Sequence, residues 1–302
     1  MGAPSRKYVD LIFKTSGKYG NWDPSQKVEV GDWGEIDKTT GAFIREGNIF
    51  KDPDYSAPLS DTQDTELVKM GGSEGMSSYQ NLNANTKSIF ASIFVPDMIR
   101  IASGVGTKFD KDLYSGVPTT GQLGVRVQSA WEFSPQNRSA VLTVLNAYSN
   151  YLEVGIVFPI LRALRKLGGK AIVTEALHCP AYALFLSEKG KGGKASLALY
   201  ASTSEAVMVA NTSEASVGWK YASESGIWRA ACALNETDVA YTPLYRVQKI
   251  SRDSWFARSR GGPIPGPEST AEESGSEPYS PPWEELDEDG DEIPQRPISP
   301  AF

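Results

Sequence analysis

Cysteine occurs twice in the chain, at Cys179 and Cys232, and histidine once, at His178. So few thiols build no disulfide framework and leave a structural zinc short of ligands, so the thiols should be reduced, and neither a metal nor a cofactor is expected. A dinucleotide loop, a P-loop and a zinc-binding helix are also missing. No long apolar run is free of Pro, Gly or charge, which argues against a spanning helix. Met1 to Arg6 lack the apolar stretch of a secretory leader, and Arg6 stands where a myristoylation signal needs Ser or Thr. The expected location of the resting protein is therefore the cytoplasm.

One hydrolase-like spacing does occur. Gly71, Ser73 and Gly75 fit G-x-S-x-G, and His178 follows in hydrolase order. That motif works only on a strained turn between a buried strand and a helix. Here Glu66 to Met70 is short and charged, and the residues after Gly75 are rich in Ser and Asn. No carboxylate can be assigned to orient His178, so no catalytic residue is expected and the chain is not read as an enzyme.

What the chain does have is charge of one sign gathered at one end. Its 302 residues carry 30 Lys and Arg against 37 Asp and Glu, a net of −7. Residues 261–302 alone hold a net of −10, which leaves +3 on residues 1–260. The same terminal segment holds nine of the 19 prolines and no structural period. Such a composition buries too little apolar surface to offset its ordering entropy, so an acidic, disordered tail over 256–302 is expected behind a folded domain over 1–255. Trp283 and Leu286 are its candidate anchors. The charge balance gives no reason to expect a nucleic-acid partner.

At 40% apolar residues the body can bury a real core. Its pattern predicts an α+β domain with a twisted, mainly antiparallel sheet. Tyr8 to Lys14 reads as a first strand, and Lys27 to Val30 as the second. Glu35 to Ile44 reads as a hairpin turning at Gly41. Residues 51–80 read as a long loop. Gln122 to Phe133 alternates, with Leu123, Val125, Val127, Trp131 and Phe133 on one face, and Ser88 to Ser103 is the expected partner. Ser134 followed by Pro135, with Val141, Leu142, Leu145 and Tyr148 behind them, predicts a helix, and Pro159 opens a second one over Ile160 to Leu167. A second long hairpin is expected between Lys170 to Glu188 and Lys194 to Glu205. Further strands are expected at Ile227 to Leu234 and Val239 to Ile250.

That order of elements resembles the pore-forming domain of the gasdermins. Leu11 to Lys14 with Trp22, then Lys27 to Asp32, are similar to the family's first strand, loop and second strand. Leu164 to Gly169 followed by Ala171 to Leu177 resembles its junction between a basic helix and an extended hairpin. Ala240 and Tyr241 with Leu244 to Val247 look like its last strand. The resemblance implies a protein held inactive by its C-terminal part, monomeric or a small oligomer, until an activating protease removes that part. It then binds an acidic phospholipid membrane, assembles as a homo-oligomer and inserts two hairpins as a β-barrel pore that kills the cell. By this likeness the lipid-contacting residues are Lys14, Lys18, Tyr19, Trp22, Lys27, Arg162, Arg165, Lys166 and Lys170. Those that insert are Phe94, Val95, Ile99, Leu123, Val125, Val127, Leu184, Leu186, Leu197 and Leu199. Trp283 and Leu286 would be autoinhibitory, and the cut would fall between Ala257 and Pro282. Two departures from animal members are expected: no N-terminal helix, and a short tail in place of a helical C-terminal domain. A non-lytic lipid- or protein-binding module with an acidic regulatory tail is the alternative.

Overall fold

A computed structural model describes residues 2–60, 67–71, 98–103, 125–133, 137–145, 147–164, 167–191, 193–202, 216–233, 241–250, 276–287 and 289–293. These form an α+β fold whose strand pairings are all antiparallel.

The chain opens with a helix, α1 (Pro4–Ser16), where a strand was expected. Pro4 sits at its start, where the missing N–H costs nothing. Gly17 closes it with φ 67° and donates its N–H to the Phe13 carbonyl at 2.7 Å. Tyr8, Leu11 and Ile12 are buried at helical spacing, so the apolar run that suggests a strand is one face of a helix. The expectation of no N-terminal helix fails with it.

Three sheets follow. The largest runs β1 (Tyr19–Gly20), β14 (Tyr241–Ile250), β9 (Ala171–Cys179), β2 (Asp32–Ile36) and β3 (Phe43–Asn48). β4 (Val68–Gly71) joins through β8 (Tyr148–Leu152), and β15 (Ser276–Pro278) pairs with β14. Along β9 the partner changes: Ile172 faces Trp33 of β2, while Glu175 to His178 face Tyr151 to Tyr148 of β8. The β2–β3 hairpin turns where the sequence predicts it, with Gly41 at φ 74°, a conformation that a side chain would strain.

The second sheet is β13 (Ile227–Cys232), β10 (Ala181–Leu186), β7 (Ala140–Leu145) and β5 (Met98–Ser103). Every residue of β7 and β10 is buried. Ala140 to Leu145 is thus a strand covered on both faces, and the helix expected from Val141, Leu142, Leu145 and Tyr148 is absent. A fully buried strand has no alternation, so its apolar residues fall at helical spacings by chance. The third sheet is β12 (Ser216–Ser223), β11 (Gly193–Ser202) and β6 (Val125–Phe133).

Both expected long hairpins are re-partnered. β6 pairs with β11, not with the strand at 98–103, which pairs with β7. β10 and β11 lie in different sheets. Residues 51–80 are not all loop either, since they contain α2 (Pro53–Ser60) and β4. The helix near Pro159 is α3 (Val154–Leu164); it starts one turn and a half earlier than expected, with Pro159 inside it.

Candidate functional site

The C-terminal segment is expected to be disordered, yet residues 276–287 and 289–293 are built onto the body. β15 lies antiparallel beside β14, with Ile250 opposite Ser276 and Gln248 opposite Pro278. Tyr19 then donates its hydroxyl to the Tyr279 carbonyl at 2.8 Å. The indole N–H of Trp283 donates to the buried carboxylate of Asp10 on α1 at 3.2 Å. Asp10 is paired with Lys14 at 2.8 Å, and Lys14 donates in turn to the carbonyls of Leu286 and Asp287 at 2.9 and 2.8 Å. Leu286 is only 4% exposed. Trp283 and Leu286, singled out as anchors, both meet the body.

Past Leu286 the chain makes a tight acidic turn. Leu286 and Glu292 bridge antiparallel, and the Asp287 carboxylate accepts from the backbone N–H groups of Asp289 and Asp291 at 2.9 and 2.8 Å. Gly290 allows it: its φ is 72°, and a β-carbon there would stand 3.3 Å from the Lys7 α-carbon. The turn therefore rests directly on the backbone of α1.

Five cations from three places close on this turn. Arg6 holds Glu292 at 2.9 Å, and Lys7 pairs with Asp291. Arg138, just before β7, reaches Asp291 at 3.3 Å and the Asp289 carbonyl at 2.8 Å, and its backbone N–H donates to the Asp289 carboxylate at 2.5 Å. Lys189, in the turn between β10 and β11, lies 2.6, 3.3 and 3.6 Å from Asp289, Asp291 and Asp287. Lys14 is the fifth, through the carbonyls already named.

The carboxylate oxygens of Asp287, Asp289 and Asp291 lie within 4.8 Å of one another, an arrangement able to hold a cation, and the Lys189 ammonium stands there. Electrostatics agree with the geometry. Burial works against the charge on Asp291, but Lys7, Arg138 and Lys189 bring its pKa down to about 2. Asp289 is likewise lowered, with Lys189 and Arg138 outweighing burial. Lys189 is raised by its bonds to Asp289 and Asp291. Where the tail crosses α1 it leaves a groove of about 550 Å³ bounded by Arg6, Lys38, Trp283, Leu286 and Ile293.

The expected lipid-contacting residues do not form one face. Lys18 and Tyr19 are buried in this state, so neither is available to a lipid surface here. Lys18 is paired with Glu175, and burial lowers its pKa although Glu175 opposes this. Tyr19 stacks on Tyr245 with ring centroids 5.7 Å apart. Trp22 is half-buried, 5.3 Å from Tyr8, with the Arg229 guanidinium 5.0 Å over its ring. Lys170 is engaged by Glu35 and Glu46, each at 2.7 Å. Lys27 is exposed, Arg162 is half-buried on α3, and Arg165 and Lys166 lie outside the described residues.

Among the residues expected to insert, Ile99, Leu184, Leu186 and Leu197 are core in this state. Val125 and Val127 are on β6 and Leu199 on β11. Phe94, Val95 and Leu123 lie outside the described residues, as does Ser73 of the hydrolase-like spacing. His178 packs against Tyr148 and sits 3.3 Å from the Thr242 hydroxyl; burial lowers its pKa. Cys179 is buried and Cys232 half-buried, both as free thiols. Among the described residues no helix is long and apolar enough to cross a membrane.

The sequence reading missed Arg6, Lys7 and Arg138 as functional residues. A signal for the two on α1 was there: a helix starting at Pro4 places Arg6 and Lys7 in its first turn, where a basic pair opposes the helix dipole and needs another reason to be present. Nothing local marks Arg138. Compared with known protein families and with characterised proteins, the chain matches none.

Proposed function

We propose that this protein is an autoinhibited membrane-binding effector of the gasdermin kind: the docked tail masks a cationic face, and its proteolytic release lets the body bind acidic lipid, oligomerise and open a β-barrel pore. The observation that carries the reading is the clasp itself. The tail spends its acidic turn and its Trp283–Leu286 anchor on α1 and on two turns that hold Arg138 and Lys189. Asp287, Asp289, Asp291 and Glu292 thereby cover cations that an anionic membrane would attract. Screening limits bare charge attraction to about 8 Å at physiological salt, so the close ion pairs and the buried Leu286 do most of the holding.

On this reading the docked strand also bears on where a protease would act. Residues 276–282 belong to the strand and the crossing segment, so the cleavage window expected from Ala257 to Pro282 shortens to the part before Ser276. A full-length chain carrying an engineered protease site between 257 and 275 tests the reading. Cutting it in the presence of phosphatidylserine- or cardiolipin-rich vesicles should release trapped dye, whereas the uncut chain should not. Vesicles that bind the cut chain yet stay sealed would replace the pore by a non-lytic lipid-binding module.

A further inference from the structure

Three of the clasp cations share a single target. Lys7 comes from α1, Arg138 from the approach to β7 and Lys189 from the β10–β11 turn, and all three contact the Asp291 carboxylate. The backbone N–H of Arg138 adds a fourth donor, aimed at Asp289. With the tail in place the Lys7 and Arg138 side chains are 9% and 12% exposed, while Lys189 reaches in from an exposed turn. Donors from three separate elements meet at a point that no body residue occupies among the described residues; the carboxylates there belong to the tail. Asp289 and Asp291, the two aspartates that Arg138 contacts, present two negative charges and four oxygens over a few ångströms, with Asp287 at the edge of the cluster, 3.6 Å from Lys189. A phosphate monoester carries the same charge and three terminal oxygens on one atom, and a guanidinium with two ammonium groups and a backbone N–H suits it better than a phosphodiester's single charge.

We propose that Lys7, Arg138 and Lys189 form a binding site for a phosphate monoester dianion, and that Asp289 and Asp291 occupy it as an internal mimic while the tail is docked. The inference rests on the autoinhibition reading in one respect, that the tail can leave. It adds the ligand chemistry and the residues. The dianion could arrive on a lipid headgroup or free in solution, and in either case it competes with the tail for the same donors.

The test uses the full chain cut between 257 and 275, so that both parts are present. Its co-sedimentation with phosphatidylcholine vesicles containing phosphatidic acid, a monoester, is compared with that containing phosphatidylserine at equal surface charge. The expected result is preference for phosphatidic acid, and loss of most of that preference, roughly tenfold for a charge-assisted contact, in Lys189→Ala and Arg138→Ala. Lys191→Ala removes an equal charge two residues away, at a side chain paired only with Glu188 in the described contacts, and should keep the preference. Because the tail competes with both vesicles alike, a variant that merely loosens the tail leaves the ratio unmoved.

Glycerol 3-phosphate separates the two sources. If it displaces the cut chain from phosphatidic acid vesicles better than chloride at matched ionic strength, the site takes free monoesters. If it does not, while the Lys189 effect persists, the site takes the headgroup at a surface. The proposal is overturned if the two vesicles bind equally, if Lys189→Ala and Lys191→Ala behave alike, or if neither vesicle binds. None of these readouts is leakage, so a selective site on a protein that never opens vesicles would defeat only the pore, and leakage without selectivity would defeat only the site.

Discussion

Two groups of charges in this molecule are built from similar parts and serve opposite ends. Lys18, in the bend just before β1, pairs with Glu175 of β9, to which Ser149 donates at 3.1 Å and which Arg246 approaches at 3.5 Å. All four residues belong to the body, and Lys18 is 5% exposed. The clasp instead brings Lys7, Arg138 and Lys189 from the body to Asp289 and Asp291 from the tail. A pair whose partners are a strand residue and a residue next to a strand of the same sheet separates only when that part of the body opens. A pair whose anion sits on a separate terminal segment is, on the proposed reading, a contact that can be undone while the fold stands.

The largest expected effect falls on the interior pair. Glu175→Ala leaves the Lys18 ammonium buried without its carboxylate and should lower global stability by about 3 kcal/mol, read by denaturant unfolding. Leu286→Ala should spare that global transition and act on docking, by about 2 kcal/mol or roughly 30-fold in the docked-to-undocked ratio. Limited proteolysis of residues 276–293 would show it. Gly290→Ala strains a left-handed position and pushes the turn off α1; about 1 kcal/mol of docking should be lost, visible as faster exchange of the tail amides.

Acid gives the next contrast. Asp291 has a pKa lowered from 3.8 to about 2 in the docked state. A depressed carboxylate contributes docking stability that is whole above its free value and fades as pH falls through its bound one. Tail protection should therefore hold down to about pH 4 and vanish toward pH 2, before or together with unfolding; a tail that leaves near pH 6 would contradict the assignment of these aspartates as the lock. The smallest effect belongs to Lys170→Ala. Its partners Glu35 and Glu46 sit at the solvent edge, and stability should match the parent within error.

How much could be read in the sequence follows the same division. Gly41 sets the β2–β3 hairpin through a local rule, and the run ending at Ile250 is a strand because its composition leaves little else. Leu286 and Trp283 stood out as apolar residues in an acidic field, and both are seated. What failed were decisions that depend on distant partners. Ala140 to Leu145 is helical by spacing and a strand by burial between β5 and β10. Tyr8 to Lys14 reads as a strand unless Pro4 and Gly17 are weighed as a start and a stop. The tail's order was invisible to composition, because its stability comes from Lys7, Arg138 and Lys189, far away in the chain.

Ile250 and Ser276 face one another across two neighbouring strands, although about twenty-five residues of sequence join them. Closing so generous a span is inexpensive to vary, since doubling its length costs only about 0.6 kcal/mol. A protease recognition sequence written into this stretch leaves the residues of β15 and of the acidic turn unchanged. If release of the tail is the trigger, as proposed, its specificity can be rewritten in sequence that belongs to neither β14 nor β15.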